Sequence, residues 1–429
     1  MVYPNSHPLF GGGLLLSACG NILVMYFVKN PAGRIVCLDK PDEYDRWIKT
    51  PKFTKPTKLE VEAWQQMRVD KYEESKRRQI IDNYQIDNGV FFATVSGGGD
   101  GYGMASANLY SELIKLGVNI SYKNKSQSLG LLFHAPYSIS RVDTPYRILY
   151  TMFESTKVPK DWIEYLKTAD KVIVPSKWCQ KVFKESAGVD SEVIPLGYDD
   201  RFFKPKKRVI KRNHNQPFKF LHYNAFNVRK GFIEVVNAFT KEFNRDEPVQ
   251  LVLKTTVKKP PIPFNPEKYP NIKVITGQVP QYQLAEICGD CDAFVFPSRG
   301  EGFGITPLEA MATGLPTIIP NAHGMTEYFN DRYMYEVNVS HNCPGIYYRY
   351  KGQDVGQMTV CDVDHLRQQM RYIYEHQEEA NEKGDLASRY VKQFTYKATA
   401  TKLKTLFDDI MSKPLPKRRP SNILTLELV

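Results

Sequence analysis

The sequence predicts an α/β protein with two consecutive doubly wound, Rossmann-like domains facing a cleft, and a small N-terminal β-rich extension. Three observations predict it. From residue 90 onward, apolar runs of strand length alternate with amphipathic helical stretches. That alternation implies parallel sheets covered by helices on both faces. It is interrupted at 204–219 by seven basic residues with no acid, and then resumes. Finally, 429 residues suit two or three domains at roughly 100–200 residues each.

Composition narrows the classes. With 42% apolar and 24% charged residues, the chain can bury ordinary cores, which excludes wholesale disorder, collagen and small disulfide scaffolds. Lys plus Arg is 58 against 47 acids, a formal net charge of +11, which suits a polyanionic or phosphorylated partner. The seven cysteines show no framework spacing, so free thiols in a cytoplasmic setting are expected. Cys288 and Cys291 form a lone C-x-x-C with no second pair, so packing is favoured over zinc.

The extension, 1–88, begins with an uncharged stretch, 8–28. Its glycines make it a poor spanning helix, and no basic segment precedes it. Turn residues at Gly20-Asn21 and 30–33 divide it into β-rich runs, so a small antiparallel meander is expected over 14–38. A basic helix follows at about 58–81. The first Rossmann-like domain, 89–203, opens with GVFFATVS and a glycine-rich loop, Gly97-Gly98-Gly99-Asp100-Gly101-Tyr102-Gly103, leading into a helix closed by Gly117. Strands are expected at 129–133, 146–153, 171–175 and 192–197, with helices at about 159–168 and 177–186.

After a basic linker, 204–217, the second domain, 218–394, repeats the pattern. FKFLHYN precedes a helix at about 230–243, and VQLVLKTT, NIKVITG, AFVFPS and TIIP read as strands. Helices fall at about 281–288, 307–313 and 364–384. A last helix, about 395–412, packs back on the first domain before a basic tail. Ligands in doubly wound sheets sit at the carboxyl ends of the strands, and two such domains place a site in the cleft between them.

The most informative segment is AFVFPSRGEGFGITPLEAMATGLPTIIP, 293–320. A strand ends in a glycine-rich turn containing Glu301, Gly302, Phe303 and Gly304, and Ile305 and Thr306 lead into a short helix. Thr306 suits the N-cap and Pro307 the first helical position. A helix N-terminus there offers N–H groups to a diphosphate. Glu301 and Glu309 are separated by seven residues. Carboxylates beside an anion site suit vicinal hydroxyls, although Thr306-Pro-Leu-Glu309 also fits a capping box.

This segment resembles the Glu-x7-Glu signature of the retaining glycosyltransferases of family 4, which have the GT-B fold. The similarity covers roughly 90–410. The resemblance implies that Glu301 lies by the donor sugar and Glu309 binds the nucleotide ribose. HYNAFNVRKGFIEVVNAF is similar to the family's diphosphate-binding turn, which implies phosphate contacts for Lys230 and Arg229. Many members carry the Arg five residues before the Lys, where this chain has Ala225. YTMFESTKVPKDW is similar to members with a Trp-Glu pair, which makes Glu154, with Tyr102, a candidate acceptor contact. His134 in LLFHAPYS occupies the place of a His that contacts the donor sugar. Gly99 and Gly101 belong to a loop that approaches the phosphates.

These matches imply a glycosyltransferase, hexosyl- or pentosyl-, with a nucleotide-diphosphate sugar as co-substrate and no catalytic metal. Asp362-Val363-Asp364 spells D-x-D but precedes a helix, where an Asp caps. The expected acceptor is a saccharide or lipid-linked saccharide. A modified DNA base and a non-catalytic sugar-nucleotide or nucleic-acid binding module are the alternatives. The basic stretches also suit a peripheral anionic surface, and no transmembrane segment is expected.

Overall fold

The computed structural model describes residues 12–16, 22–29, 35–38, 49, 87–94, 101–123, 127–211, 213–258, 268–345 and 347–416. The chain divides into two compact units, 1–86 with 419–429, and 87–418. In the first unit β1 (Gly12–Leu16), β2 (Ile22–Lys29) and β3 (Ile35–Leu38) form an antiparallel meander. The Gly20-Asn21 and Asn30-Pro31-Ala32-Gly33 segments expected to turn between these strands lie outside the described residues. The helix expected at 58–81, the loop 95–100 with Gly99, and the tail from 417 lie outside the described residues.

The second unit opens with β4 (Asp87–Ala93), α1 (Gly101–Lys115), β5 (Ile120–Ser121) and β6 (Gln127–Phe133). β7 (Tyr146–Tyr150), α2 (Lys160–Thr168), β8 (Lys171–Val174), α3 (Lys177–Ala187) and β9 (Glu192–Val193) complete this domain. All its strands pair in parallel in the order β5-β4-β6-β7-β8-β9. β6 is buried along its whole length, the signature of a strand covered on both faces. α1 buries Ala105, Leu109 and Leu113, one residue per turn. Strand order reverses between β4 and β6, which opens a crevice beyond their carboxyl ends.

The next domain contains β10 (Phe218–Asn224), α4 (Phe232–Glu242), β11 (Val249–Thr255), β12 (Ile272–Ile275) and α5 (Gln281–Gly289). β13 (Ala293–Val295), α6 (Ile305–Ala312), β14 (Thr317–Ile319) and β15 (Tyr335–Glu336) follow. The order is β12-β11-β10-β13-β14-β15, all parallel. This is the dinucleotide-fold order, with its switch point between β10 and β13. The segments after those two strands hold the Arg229-Lys230 turn and the Glu301 loop.

An antiparallel hairpin that the apolar pattern does not announce follows, β16 (Val339–Pro344) with β17 (Gln357–Cys361). Its first strand is almost wholly exposed and polar, so it carries no alternating signal. The long helix expected at 364–384 is two helices, α7 (Val363–Glu375) and α8 (Gln377–Tyr390), broken at His376. The break lets the buried Gln377 side chain accept from the Lys211 N–H and donate to the Lys211 carbonyl, both at 2.8 Å. Asp362 caps α7, accepting from the Asp364 and His365 N–H groups.

α9 (Tyr396–Met411) returns to the first domain and packs against α1. Thr399 donates to the Pro195 carbonyl at 2.8 Å. Part of the linker's charge is spent internally. Lys206 pairs with Asp290 and Lys211 with Asp292, while Arg208 donates to the Thr313 and Cys291 carbonyls. Cys288 and Cys291 are buried thiols. No described helix is long and apolar enough to cross a membrane.

Candidate functional site

The turn after β10 is built from its own side chains. Asn227 accepts from the Lys230 N–H, and Gly231 adopts φ 78°. A Cβ on Gly231 would lie 2.2 Å from the Pro297 carbonyl oxygen, so only glycine fits against the β13 exit. The Arg299 N–H donates to the Arg229 carbonyl at 2.7 Å, which locks this turn to the Glu301 loop. Behind it, buried His222 bonds through Nδ1 to the Val295 carbonyl and through Nε2 to the Asn224 amide. Since a carbonyl only accepts, Nδ1 carries the proton. Burial pushes this imidazole down to about 4, so it is neutral. The sequence reading missed His222 and Asn224; the polar HYN ending of an otherwise apolar strand is the signal that marks them.

At the switch point Lys230 Nζ lies 2.6 Å from Glu301 Oε1, and Ser298 donates to the same oxygen at 2.8 Å. Arg229 lies 3.4 Å from Glu301 and donates to the Gly300 carbonyl. All three ionic groups are largely buried. Burial opposes the charge on Glu301, but the Lys230 and Arg229 charges outweigh it and hold the carboxyl below its ordinary value. Burial also lowers the Lys230 amine, with Glu301 opposing.

The first domain reaches the same cluster. Glu154, beyond β7, lies 3.3 Å from Arg229 and accepts from the Tyr347 hydroxyl at 3.2 Å. Ser176 caps α3 and also donates to the Gly302 carbonyl at 2.8 Å. Tyr102 and Glu154 line one cavity of about 650 Å³, together with Arg229, Trp162, Tyr347 and Tyr350. His134 lies at the end of β6 against the Tyr102 ring, centroids 5.2 Å apart. Gly101 begins α1, with no atom of the described residues within 4 Å of where a Cβ would lie.

The structure corrects several expectations around Glu309. α6 begins at Ile305, with Gly304 at the cap position in a left-handed conformation, φ 86°. Thr306 is therefore inside the helix and caps nothing. The tight glycine turn starts the helix earlier than a side-chain cap would. Nor does Glu309 close a capping box, for its carboxylate accepts from the buried Tyr223 hydroxyl. Burial pushes Glu309 up to about 7, against that hydrogen bond. The Phe303 ring is fully buried against Tyr328 and Phe394, so only its backbone can face a ligand. The Gly324 N–H donates to the Glu301 carbonyl at 2.8 Å.

Comparison with known proteins agrees with this architecture. Residues 203–339 match the family described as glycosyl transferases group 1. Mannosylfructose-phosphate synthase of Agrobacterium fabrum is 26% identical over 223 residues, 44% of this chain and 48% of the relative. The putative teichuronic acid biosynthesis glycosyltransferase TuaC of Bacillus subtilis is 27% identical over 168 residues, 38% of this chain and 41% of the relative. The chain thus spans about half the length, or less, of these curated relatives. A glycosyltransferase from Rickettsia africae superposes with TM-score 0.55 at 13% identity, over 76% of this chain and all of that one. Anabaena HepE in complex with UDP-glucose gives 0.54 at 11%, over 75% and 99%. Sucrose-phosphate synthase from Thermosynechococcus elongatus gives 0.51 at 17%, over 67% and 74%. Residues 203–339 thus match a group 1 glycosyl transferase domain, and the two parallel-sheet domains share the GT-B fold of the glycosyltransferases on which they superpose.

Proposed function

We propose that this protein transfers a sugar, with retention of configuration, from a nucleotide-diphosphate donor to a hydroxyl of a saccharide or lipid-linked saccharide. The observation that carries this reading is the convergence of Lys230, Arg229 and Glu301 at the switch point of the β10–β13 sheet, facing the first domain. The sequence resemblance and the HepE complexes with UDP and UDP-glucose support a nucleotide-sugar donor. In this reading Lys230 and Arg229 hold the diphosphate as negative charge develops on it, the usual main source of rate in such a site. Glu301 accepts from donor-sugar hydroxyls and Glu309 from the ribose diol. Closure of the domains excludes water. The interdomain contacts at Ser176 and Glu154 support such a closed geometry.

A panel of nucleotide sugars, with nucleotide release and product mass as readouts, tests the reading. No nucleotide release from any donor, with any saccharide or lipid acceptor, would refute it. We further propose that the two cations do the work other transferases give to a metal. Turnover in EDTA is then expected to equal that in added Mg²⁺ or Mn²⁺, and loss of activity on chelation would overturn this point.

Glu309 provides a pH test. Its folded value near 7 lies above the ordinary carboxyl value, and hydroxyls donate best to the ionised form. Donor affinity should therefore rise by about tenfold in all as pH climbs from about 6 to 8, most steeply below 7 and levelling off above it, for one proton released. In Glu309→Gln that slope should vanish. A slope unchanged in the variant would remove Glu309 from the donor site. Two of the linker cations that suggested a DNA acceptor, Lys206 and Lys211, are already paired with Asp290 and Asp292.

A further inference from the structure

The cavity has a wall that the two doubly wound domains do not supply. The connection between β16 and β17 lies across the first domain and is tied to it along its length. Ser155 donates to the Val355 carbonyl at 2.6 Å, Lys157 pairs with Asp354 at 2.7 Å, and Trp162 Nε1 donates to the Tyr350 hydroxyl at 2.8 Å. The Tyr347 ring stacks on Phe153, centroids 5.0 Å apart. This strap contributes Tyr347, Arg349 and Tyr350 to the cavity lining and so presents aromatic surface to it.

Three guanidinium groups line the same cavity. Arg229 is offset by Glu154 and Glu301, and Arg299 by Glu234 at 2.6 Å. Arg349 differs. It is exposed and has no ion-pair partner among the described residues. Nor is it loose. Its guanidinium lies 4.1 Å over the Tyr137 ring and donates to the Tyr137 hydroxyl at 3.1 Å. A stacked guanidinium loses little further freedom when it takes a planar or tetrahedral anion on its remaining N–H groups. A neutral sugar would leave that charge unanswered.

Building on the transfer reading above, we propose that the strap makes this cavity an acceptor subsite for an acidic saccharide. The sugar ring rests against the aromatic wall, and its carboxylate or phosphate meets Arg349. Arg349 then sets acceptor choice without touching the reacting atoms.

The test uses the full chain, the best donor found in the donor panel, and matched acceptors. Methyl glucuronide is compared with methyl glucoside, glucose 6-phosphate with glucose, and the galacto- and manno- counterparts likewise. The wild type should prefer acidic members by roughly tenfold or more in kcat/KM, the scale of one charged hydrogen bond. The carboxylate and phosphate series identify which anion is used. In Arg349→Ala that preference should collapse toward unity, chiefly through KM, and Arg349→Lys should restore part of it. Neutral acceptors used as well as acidic ones by the wild type, or a preference unchanged in Arg349→Ala, would overturn the proposal while leaving sugar transfer in place. If no donor is turned over at all, the transfer reading itself fails and takes this one with it.

Discussion

Replacing Lys230 with Met is expected to lower kcat by roughly 10²–10³, the usual cost of removing one preorganised charge from a developing anion. Methionine keeps the unbranched stem and removes only the ammonium. The change also leaves Glu301, buried and 2.6 Å from the lost amine, with Ser298 and the more distant Arg229. Breaking one side of a buried ion pair costs on the order of 3–5 kcal/mol, so Lys230→Met should also melt earlier. The double variant Lys230→Met/Glu301→Gln removes the uncompensated carboxylate. It should recover much of the thermal stability and none of the turnover. Measured against Glu301→Gln alone, a further loss of turnover in the double variant without a further loss of stability distinguishes a role of Lys230 in the reaction from a role in folding. A single variant within threefold of wild-type kcat would eliminate Lys230 as the diphosphate contact.

Gly231→Ala should be the most disruptive one-methyl change near the site. A left-handed backbone costs an alanine about 1–2 kcal/mol. Here the added Cβ would also meet the Pro297 oxygen at 2.2 Å, so the backbone of one of two interlocked loops must move. Gly117, with φ 76° and nothing within 4 Å of its would-be Cβ, is the control that isolates the conformational cost. Gly117→Ala should lower Tm by a few degrees, and Gly231→Ala by clearly more. Because Arg229 and Lys230 immediately precede Gly231, the same shift should weaken donor binding, measured by calorimetry, while Gly117→Ala leaves it intact. Equal melting losses in the two variants would show that the β13 exit yields freely.

The alternation of strands and helices was legible because buried parallel strands are continuously apolar and their covering helices are amphipathic. Strand order was not. Nothing in VQLVLKTT or AFVFPS says that both flank FKFLHYN, yet that adjacency brings Lys230 to Glu301. Glu301 and Lys230 were found through a motif resemblance; spacing alone left Glu309 balanced between cap and ligand. The Thr306 cap was misread because glycine at 304 turns the chain by itself. The strap was invisible for a related reason. The connection that follows its polar, exposed strand is held by contacts with residues roughly 200 positions earlier, and local pattern carries no trace of these. The helix break at His376 likewise depends on a distant partner, the Lys211 backbone.

The strap's attachment has a mechanical consequence. Its ties at Ser155, Thr156 and Lys157 sit on the residues immediately following Glu154, itself bonded to Tyr347 and paired with Arg229. Gradual breathing of the lobes would stretch these short bonds together, so separation becomes an unzipping with a threshold. On the proposed transfer reading, admission of substrate and departure of product would share one gate, whose stiffness is set by a segment that performs no chemistry.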